Sequence, residues 1–205
     1  MKLVIATHNR GKAAEISALL KNHSIELDRT LQVVSLADYP DMPDIVEDGA
    51  SFMENALKKA RETSAYTGLT AIADDSGLEV DALDGQPGVM SARFAQTSEA
   101  RNKKLLELLK DIPDELRTAR FVCAFAFVSP GGFEWTTTGR CEGTITLKPA
   151  GEGGFGYDPV FYYEPIGKTF AEISLETKNQ ISHRGIALKA FKKAVETERI
   201  LRGKE

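Results

Sequence analysis

Two adjacent aspartates, Asp74 and Asp75, are the clearest candidates for chemistry in this sequence. They follow the run Thr70 to Ala73, which predicts a short buried strand ending in a polar turn. In open α/β sheets, ligands bind outside the carboxyl ends of such strands. Neighbouring strand residues point to opposite faces, so the two carboxylates need not share a role. One can hold Mg²⁺, which relieves their mutual repulsion, while the alternative is a polar turn with an aspartate cap.

A second carboxylate for a metal ion is available in the acidic loop that precedes Ser51. Mg²⁺ typically takes one or two carboxylates together with waters and substrate phosphates. Glu47 can therefore join Asp75 as a ligand, although a solvated acidic loop explains the same residues. Glu54 is assigned to helix capping instead, because Ser51 and Glu54 have the spacing of a capping box.

The segment Thr7 to Lys12, Thr-His-Asn-Arg-Gly-Lys, lies between a predicted strand, Lys2 to Ala6, and a predicted helix. A strand-to-helix turn directs free backbone N–H groups and the positive end of the helix dipole at one point. Short polar side chains and the cations Arg10 and Lys12 complete a candidate cradle for a triphosphate. An ordinary turn is the alternative, and the pattern of a P-loop is absent.

Two later segments have residue types suited to a nucleotide. In the loop from Gly153 to Pro159, glycines flank Phe155 and Tyr157, so a ring can lie against a flat ligand; base stacking contributes about 1–3 kcal/mol. Further on, Lys178 precedes Ser182-His183-Arg184 at a predicted helix start, a combination that binds anions or carbonyl oxygens. The alternatives are a loop whose aromatic rings fill the core and a capped helix with solvated charges.

The composition excludes several classes of protein. The 205 residues include 26 Lys and Arg and 30 Asp and Glu, a net charge of −4. Proteins that bind duplex nucleic acid usually need a basic balance to neutralise phosphates. Two cysteines are too few for a disulfide scaffold or a Cys-based zinc site, and the longest apolar run, Phe121 to Val128, is too short to span a membrane. We therefore expect a cytoplasmic protein with neither nucleic acid nor membrane as a partner.

A long hairpin is predicted late in the chain. Its strands run over Arg120 to Ser129 and Phe133 to Leu147, on either side of a Pro-Gly-Gly turn. If the turn is symmetric about Gly132, Cys123 and Cys141 lie opposite each other, and we expect both to be reduced.

Helices and strands alternate before that hairpin. Ser98 is predicted to cap one helix, and Ser182 a last helix that reaches about Leu201. This order favours an α/β fold in which a mixed sheet is flanked by helices, rather than a purely parallel doubly wound sheet.

Six short segments of the chain share their order with a known family. They are Thr7-x-Asn9-x-x-Lys12, Glu54-Asn55-Ala56 with Lys59-Ala60, Ala73-Asp74-Asp75-Ser76-Gly77-Leu78, Pro87-Gly88 with Ser91-Ala92-Arg93, Gly154-Phe155-Gly156-Tyr157-Asp158-Pro159, and Ser182-His183-Arg184. In these segments, from Thr7 to Ala187, the sequence resembles the inosine/xanthosine triphosphate pyrophosphatase family.

This resemblance implies a single domain over residues 1–205, with two lobes on an elongated mixed sheet and a nucleotide cleft between them. It implies Mg²⁺-dependent hydrolysis of noncanonical purine nucleoside triphosphates, ITP, dITP and XTP, to the monophosphate and pyrophosphate, which cleanses the nucleotide pool. It also implies a homodimer.

The resemblance further assigns roles to individual residues. Asp75 matches the catalytic carboxylate that binds the metal. The candidate second metal ligand, Glu47, lies before the capping box, at an acidic position that varies in the family. The remaining positions bind substrate, and His8 stands where the family commonly has glycine. These positions are Thr7, His8, Asn9, Arg10, Gly11, Lys12, Lys59, Ser76, Phe155, Gly156, Tyr157, Asp158, Lys178, His183 and Arg184.

Two alternatives stay open. One is a sibling pyrophosphatase that acts on modified pyrimidine or methylated guanine nucleotides. The pair His183-Arg184 and the Phe155 loop argue against it. Donors at these two positions suit the 6-oxo group of hypoxanthine or xanthine and disfavour the 6-amino group of adenine. Loss of Arg184 is then expected to relax selection against ATP. The other alternative is a non-catalytic nucleotide-binding or sensing protein, against which the intact Asp74 and Asp75 argue.

Overall fold

The computed structural model describes residues 2–22 and 32–198. The strands are β1 (Lys2–Ile5), β2 (Gln32–Ser35), β3 (Thr70–Val80), β4 (Thr118–Val128), β5 (Glu134–Ile145), β6 (Phe161–Tyr163) and β7 (Lys168–Thr169). The α-helices are α1 (Arg10–Asn22), α2 (Phe52–Thr67), α3 (Ser98–Leu108), α4 (Leu175–Ile181) and α5 (His183–Glu198). Within these ranges no helix is both long enough and apolar enough to cross a membrane.

The strands form a mixed sheet in the order β2-β1-β3-β4-β5-β6-β7. Strand β1 is parallel to both β2 and β3, whereas β6 is antiparallel to β5 and to β7. Parallel neighbours need a crossover connection, and α1 and α2 lie in the two connections between the parallel strands. The prediction of a mixed sheet flanked by helices is confirmed.

The chain divides into two compact units. Within the described residues, unit 1 comprises 2–22, 32–75, Cys123–Gly139 and 184–198, and unit 2 comprises Ser76–Val122 and Arg140–His183. Strands β3, β4 and β5 each contribute residues to both units. The predicted nucleotide cleft stays a prediction.

Each unit has its own apolar core. In unit 1, Ile16 of α1 and Phe191 of α5 belong to a buried cluster with residues of β1, β3 and β4. In unit 2, Leu105 of α3 belongs to a cluster with Phe121 of β4 and Phe161 of β6. Aromatic residues therefore anchor both cores, which fixes the strands that carry the candidate site.

The aspartate pair lies within a strand, not after one. The sequence predicts that the strand ends at Ala73, but β3 continues to Val80. The physical reason is that Leu78 and Val80 are fully buried and continue the apolar pattern beyond the polar residues. A charged pair is tolerated in mid-strand because both carboxylates find partners there, as described below.

One predicted helix cap is wrong by one residue, and one predicted capping box closes on a different residue. Thr97, not Ser98, caps α3, since its hydroxyl accepts from the N–H of Ala100. Ser51 does cap α2, but the Glu54 carboxylate accepts from the N–H of Ala50 instead of closing the box on Ser51.

At the last helix, Ser182 ends α4, a helix that the sequence analysis does not predict, and α5 begins at the next residue. The predicted end near Leu201 lies outside the described residues.

The hairpin register differs from the predicted one by two residues. The N–H of Ser129 donates to the carbonyl of Phe133, and the N–H of Ile145 donates to the carbonyl of Arg117. Both bonds place the turn centre at Gly131 rather than Gly132. Cys123 is therefore opposite Gly139, so the predicted pairing with Cys141 is wrong; both cysteines are buried, and neither forms a disulfide.

Candidate active site

Asp74 is fixed by two cations in unit 1. Its Oδ2 lies 3.4 Å from Nζ of Lys12 in α1, and it accepts hydrogen bonds from Nη2 (2.9 Å) and Nε (3.2 Å) of Arg184 in α5. Asp74 and Arg184 are each only 1% exposed. A carboxylate without water needs such charge-assisted bonds to stay ionised.

A third residue, Glu15, completes this buried group. It lies on α1 one turn after the helix start, is 3% exposed, and accepts a hydrogen bond from Nη1 of Arg184. Burial lowers the pKa of Arg184, but Asp74 and Glu15 together raise it well above its usual range, so the guanidinium stays charged. Sequence reasoning missed Glu15, because nothing in the sequence distinguishes it from a solvated charge on α1.

Asp75 points away from that group and meets α2. Nδ2 of Asn55 donates to Oδ2 of Asp75 over 3.0 Å, and Nζ of Lys59 lies 3.7 Å from Oδ1 of Asp75. Asn55 and Lys59 are four residues apart, so one face of the helix carries both. The two aspartates thus have different partners, as the alternation of side chains along a strand predicts.

The acidic loop before α2 contacts the same two residues of α2, Asn55 and Lys59. Nζ of Lys59 donates to Oε1 of Glu47 over 2.5 Å, so Glu47 and Asp75 share one ammonium group. Asn55, through its Oδ1, also accepts from the N–H of Gly49 over 2.8 Å. A Cβ at Gly49 would lie 2.7 Å from that oxygen, so the close approach requires glycine. Sequence reasoning did not assign Asn55 a role, although its motif contains it.

The charges of this group are strongly coupled. Burial raises the pKa of Asp75 above its ordinary value, and Lys59 and Lys12 oppose that shift without cancelling it. Burial lowers the pKa of Lys59, but the nearby carboxylates, first of them Asp75, raise it above its ordinary value. The group has three cations and four carboxylates, which leaves one net negative charge when all are ionised. These charged residues are Lys12, Lys59, Arg184, Glu15, Glu47, Asp74 and Asp75.

This arrangement is suited to a hard cation with oxygen ligands. Over residues 2–22 and 32–198, no three His, Cys, Asp or Glu side chains are grouped as a metal site. Glu47 and Asp75 face the same ammonium, so these two carboxylates would be available to a cation whose other ligands are waters or phosphate oxygens, as is usual for Mg²⁺.

The polar turn Thr7–Lys12 begins α1 and caps it. Oδ1 of Asn9 accepts from the N–H of Lys12 over 3.1 Å, and the N–H of Asn9 donates to Oγ1 of Thr7 over 3.2 Å. His8 is exposed, with Nε2 3.8 Å from Oδ1 of Asp44. The turn therefore brings Lys12 to Asp74, while the imidazole of His8 points toward another part of the acidic loop.

In unit 2, one carboxylate organises the glycine-rich loop. Oδ2 of Asp158 accepts from the N–H of Phe155 over 2.8 Å and from Nζ of Lys178 over 2.6 Å. The same ammonium lies 4.6 Å from the centre of the Phe155 ring, a cation–π distance. Gly154 has φ +68°, and a Cβ there would collide with Oδ2 of Asp158, so this position also requires glycine.

Four more predicted residues lie in unit 2. The Tyr157 hydroxyl donates to the carbonyl of Ser91 over 2.9 Å, and burial raises its pKa, so Tyr157 anchors the loop in the core. The His183 ring stacks on Phe121 at 4.7 Å and is 4% exposed. Gly156 accepts from the side chain of Asn102, and Ser76 is half-buried in β3.

The structure therefore places the predicted residues in two groups. In unit 1, Lys12, Lys59, Glu47 and Asp75 come together around β3; in unit 2, Phe155, Asp158 and Lys178 do so. Arg184 belongs to the first group, where its guanidinium donates to Glu15 and Asp74. This geometry favours a role in the core over the predicted contact with a base.

Known proteins are similar to this sequence over almost its whole length. The model of the Ham1 family matches residues 3–194. The dITP/XTP pyrophosphatase of Desulforamulus reducens is 51% identical over 199 residues, which cover 96% of this chain and 94% of that protein.

Two solved structures are also similar. A HAM1 protein from Coxiella burnetii has a TM-score of 0.84 and 38% identity, over 96% of this chain and 98% of its own. A nucleoside-triphosphatase / dITP/XTP pyrophosphatase from Mycobacterium abscessus has a TM-score of 0.74 and 46% identity, over 93% and 98%.

The raised pKa of Asp75 predicts a stability cost. The folded protein binds that proton more tightly than the unfolded chain, whose pKa is near 3.8, so ionisation of Asp75 destabilises the fold. At a pH below the pKa of the unfolded chain this cost is absent, and at a pH above the raised pKa of the folded protein it is complete. We expect Asp75→Asn, which still accepts from Asn55, to raise the free energy of unfolding of the metal-free protein near neutral pH and to lose this gain on acidification.

Urea unfolding, followed by the fluorescence of the single tryptophan, Trp135, measures this effect. The matched control is Asp48→Asn in the acidic loop that contains Glu47, since the hydrogen bond from Lys58 lowers the pKa of Asp48 and no gain is expected. A gain that grows on acidification, or none at neutral pH, would contradict the prediction.

Arg184 is expected to be essential for stability. Arg184→Met leaves Glu15 and Asp74 buried without their guanidinium, which typically costs about 3–5 kcal/mol. The control is Arg61→Met, because Arg61 forms a two-point ion pair with Glu134 at the surface of the same unit and should cost less than about 1 kcal/mol. Equal losses in denaturant unfolding would show that Arg184 does not hold the core.

Proposed function

The chain belongs to the Ham1 family, and we propose that it hydrolyses the noncanonical purine nucleoside triphosphates ITP, dITP and XTP to the monophosphate and pyrophosphate. The observation that carries this proposal is the buried Asp75, which has Lys59, Asn55 and Glu47 around it. The relative from Desulforamulus reducens has the same activity in its name, at 51% identity over nearly the whole chain.

The residues of unit 1 suit the cleavage of a phosphoanhydride. This reaction needs neutralisation of phosphate charge and a positioned water more than it needs covalent chemistry. Asp75 is assigned to orient the water and accept its proton, for which a raised pKa is favourable. Lys12 and Lys59, both largely shielded from solvent, bind the phosphate oxygens.

A divalent cation fits the donor set of this group. Glu47 and Asp75 offer only oxygen atoms, and both already face one positive charge, the ammonium of Lys59. These two carboxylates would hold Mg²⁺, which, when bound, supplies positive charge to the phosphate oxygens. Asp74 is not part of this set, because Arg184 and Lys12 bind it on the other side of the strand.

The residues of unit 2 suit a purine. Phe155 presents an aromatic ring whose backbone is fixed by Asp158, so it can stack on a base without losing much conformational entropy. His183 is assigned to the 6-oxo oxygen. Arg184 is left out of this assignment because of its partners in the core.

The remaining features of the proposal come from the family resemblance. They are dependence on Mg²⁺ in particular, a homodimer, and a cytoplasmic location. Two buried free thiols are compatible with that compartment.

The first experiment measures pyrophosphate release from a panel of nucleoside triphosphates, with and without Mg²⁺. We expect turnover of ITP, dITP and XTP that requires a divalent cation, and a loss of about 10²–10⁴-fold or more in Asp75→Asn, the range typical for a missing general base. Asp48→Asn, an exposed neighbour of Glu47, is the control. Binding without turnover would favour a sensing protein, and preferred turnover of modified pyrimidines or methylated guanine would favour the sibling activity.

The second experiment separates stacking from reading of the base. Phe155→Ala should lower kcat/KM for ITP and ATP by the same factor, because stacking does not read exocyclic groups. The expected loss of transition-state stabilisation is that of one stacked base, about 1–3 kcal/mol. His183→Ala should lower kcat/KM for ITP much more than for ATP, and so reduce a selection that can reach about 10⁴. GTP should be rejected less strongly, because it shares the 6-oxo group. If His183→Ala leaves the ITP-to-ATP ratio unchanged, this residue does not read the base.

A further inference from the structure

Two neighbouring lysines of α2 form ion pairs of different kinds. The Lys59 ammonium lies 2.5 Å from Oε1 of Glu47 and 3.7 Å from Oδ1 of Asp75, and its side chain is 9% exposed. The Lys58 ammonium lies 2.6 Å from Oδ1 of Asp48, with both side chains open to solvent. Lys59 is thus a buried cation between two carboxylates, whereas Lys58 makes an ordinary surface pair.

The carboxylates that bind Lys59 are also those that suit a divalent cation. A carboxylate oxygen that accepts a short hydrogen bond from an ammonium cannot give the same electron pair to a metal ion. Each carboxylate has further lone pairs, but a divalent cation on Glu47 and Asp75 would lie beside the buried ammonium of Lys59. Repulsion between these two positive charges favours withdrawal of the ammonium. Its four-carbon stem is flexible, so it can withdraw without movement of α2.

A withdrawn ammonium needs a new anionic partner. The side chain is almost shielded from solvent, and burial disfavours a charge without a counter-charge. A triphosphate would supply that partner, since Lys59 is one of two lysines assigned to phosphate in the proposed function. The two binding events would then favour each other.

We propose that Lys59 competes with the divalent cation for Glu47 and Asp75 and moves to the phosphates when a triphosphate binds. This inference rests on the proposed function. It makes Lys59 the residue that couples the two events: the cation binds weakly to the nucleotide-free protein and more tightly once phosphate has taken the ammonium. Because coupling between two sites is reciprocal, the cation strengthens phosphate binding by the same factor.

The test is metal binding to the nucleotide-free protein, with Mn²⁺ as a spectroscopic substitute for Mg²⁺ and electron paramagnetic resonance as the readout. Lys59→Met should bind Mn²⁺ about 5–150-fold more tightly than the unaltered protein, the usual range of coupling between sites. Lys58→Met, the matched control on the next residue, should leave the affinity unchanged. Lys59→Arg keeps a cation against the same carboxylates and should retain the weak affinity.

The direction of the change separates this role from a structural one. Damage to the fold would loosen the site, whereas release from competition tightens it. Adding Asp75→Asn to Lys59→Met should abolish the gain, which assigns it to this pair of carboxylates. In kinetics, Lys59→Met should raise KM for ITP while lowering the metal concentration that gives half-maximal rate.

Unchanged or weaker Mn²⁺ binding by a folded Lys59→Met protein would overturn the inference. That result leaves the proposed function intact if the unaltered protein hydrolyses ITP. Conversely, tighter Mn²⁺ binding in a protein that hydrolyses none of the nucleotides would support the competition and refute the proposed function.

Discussion

Two carboxylates occupy adjacent positions in the middle of a buried strand, and the neighbouring elements of unit 1 are arranged to neutralise them. Asp74 and Asp75 are at most 6% exposed, and ionised carboxylates in such surroundings need close counter-charges. Strand geometry sends them to opposite faces, so each is contacted by a different cation, although Lys12 also acts on Asp75 over a longer distance. Helices α1 and α5 supply Lys12 and Arg184 to the first, and α2 supplies Lys59 to the second.

The two faces are neutralised to different degrees, and the proposed function depends on this difference. Asp74 receives a guanidinium as well as an ammonium, so its face is a fixed part of the core. Asp75 must share Lys59 with Glu47, and burial still raises its pKa. An incompletely stabilised carboxylate is costly for the fold, but it can accept a proton or bind an added cation. The strand therefore places a rigid support directly beside a reactive group.

Much of this could be predicted from the sequence, because the residues concerned are close to one another in the chain. The mixed sheet, the helix that begins within Thr7–Lys12 and the different partners of Asp74 and Asp75 follow from local pattern and strand alternation. Glu15 could not be found, because its partner Arg184 is 169 positions away. The continuation of β3 was missed for a similar reason: local pattern treats two aspartates as a turn, and only their distant cations make a strand tolerable there. The predicted hairpin register is wrong because moving the centre of the turn by one residue shifts every cross-strand pair by two residues.

The glycine-rich loop shows how a buried ion pair can define a binding surface. Asp158 and Lys178 are both almost fully buried, and an apolar pair of similar size could often replace such a bridge without loss of stability. Here the carboxylate also accepts from the N–H of Phe155, which an apolar residue could not do. The ammonium at the same time covers one face of the Phe155 ring. One face of the ring is thus occupied by the ammonium, so a base stacked on Phe155, as the proposed function has it, would lie on the other face.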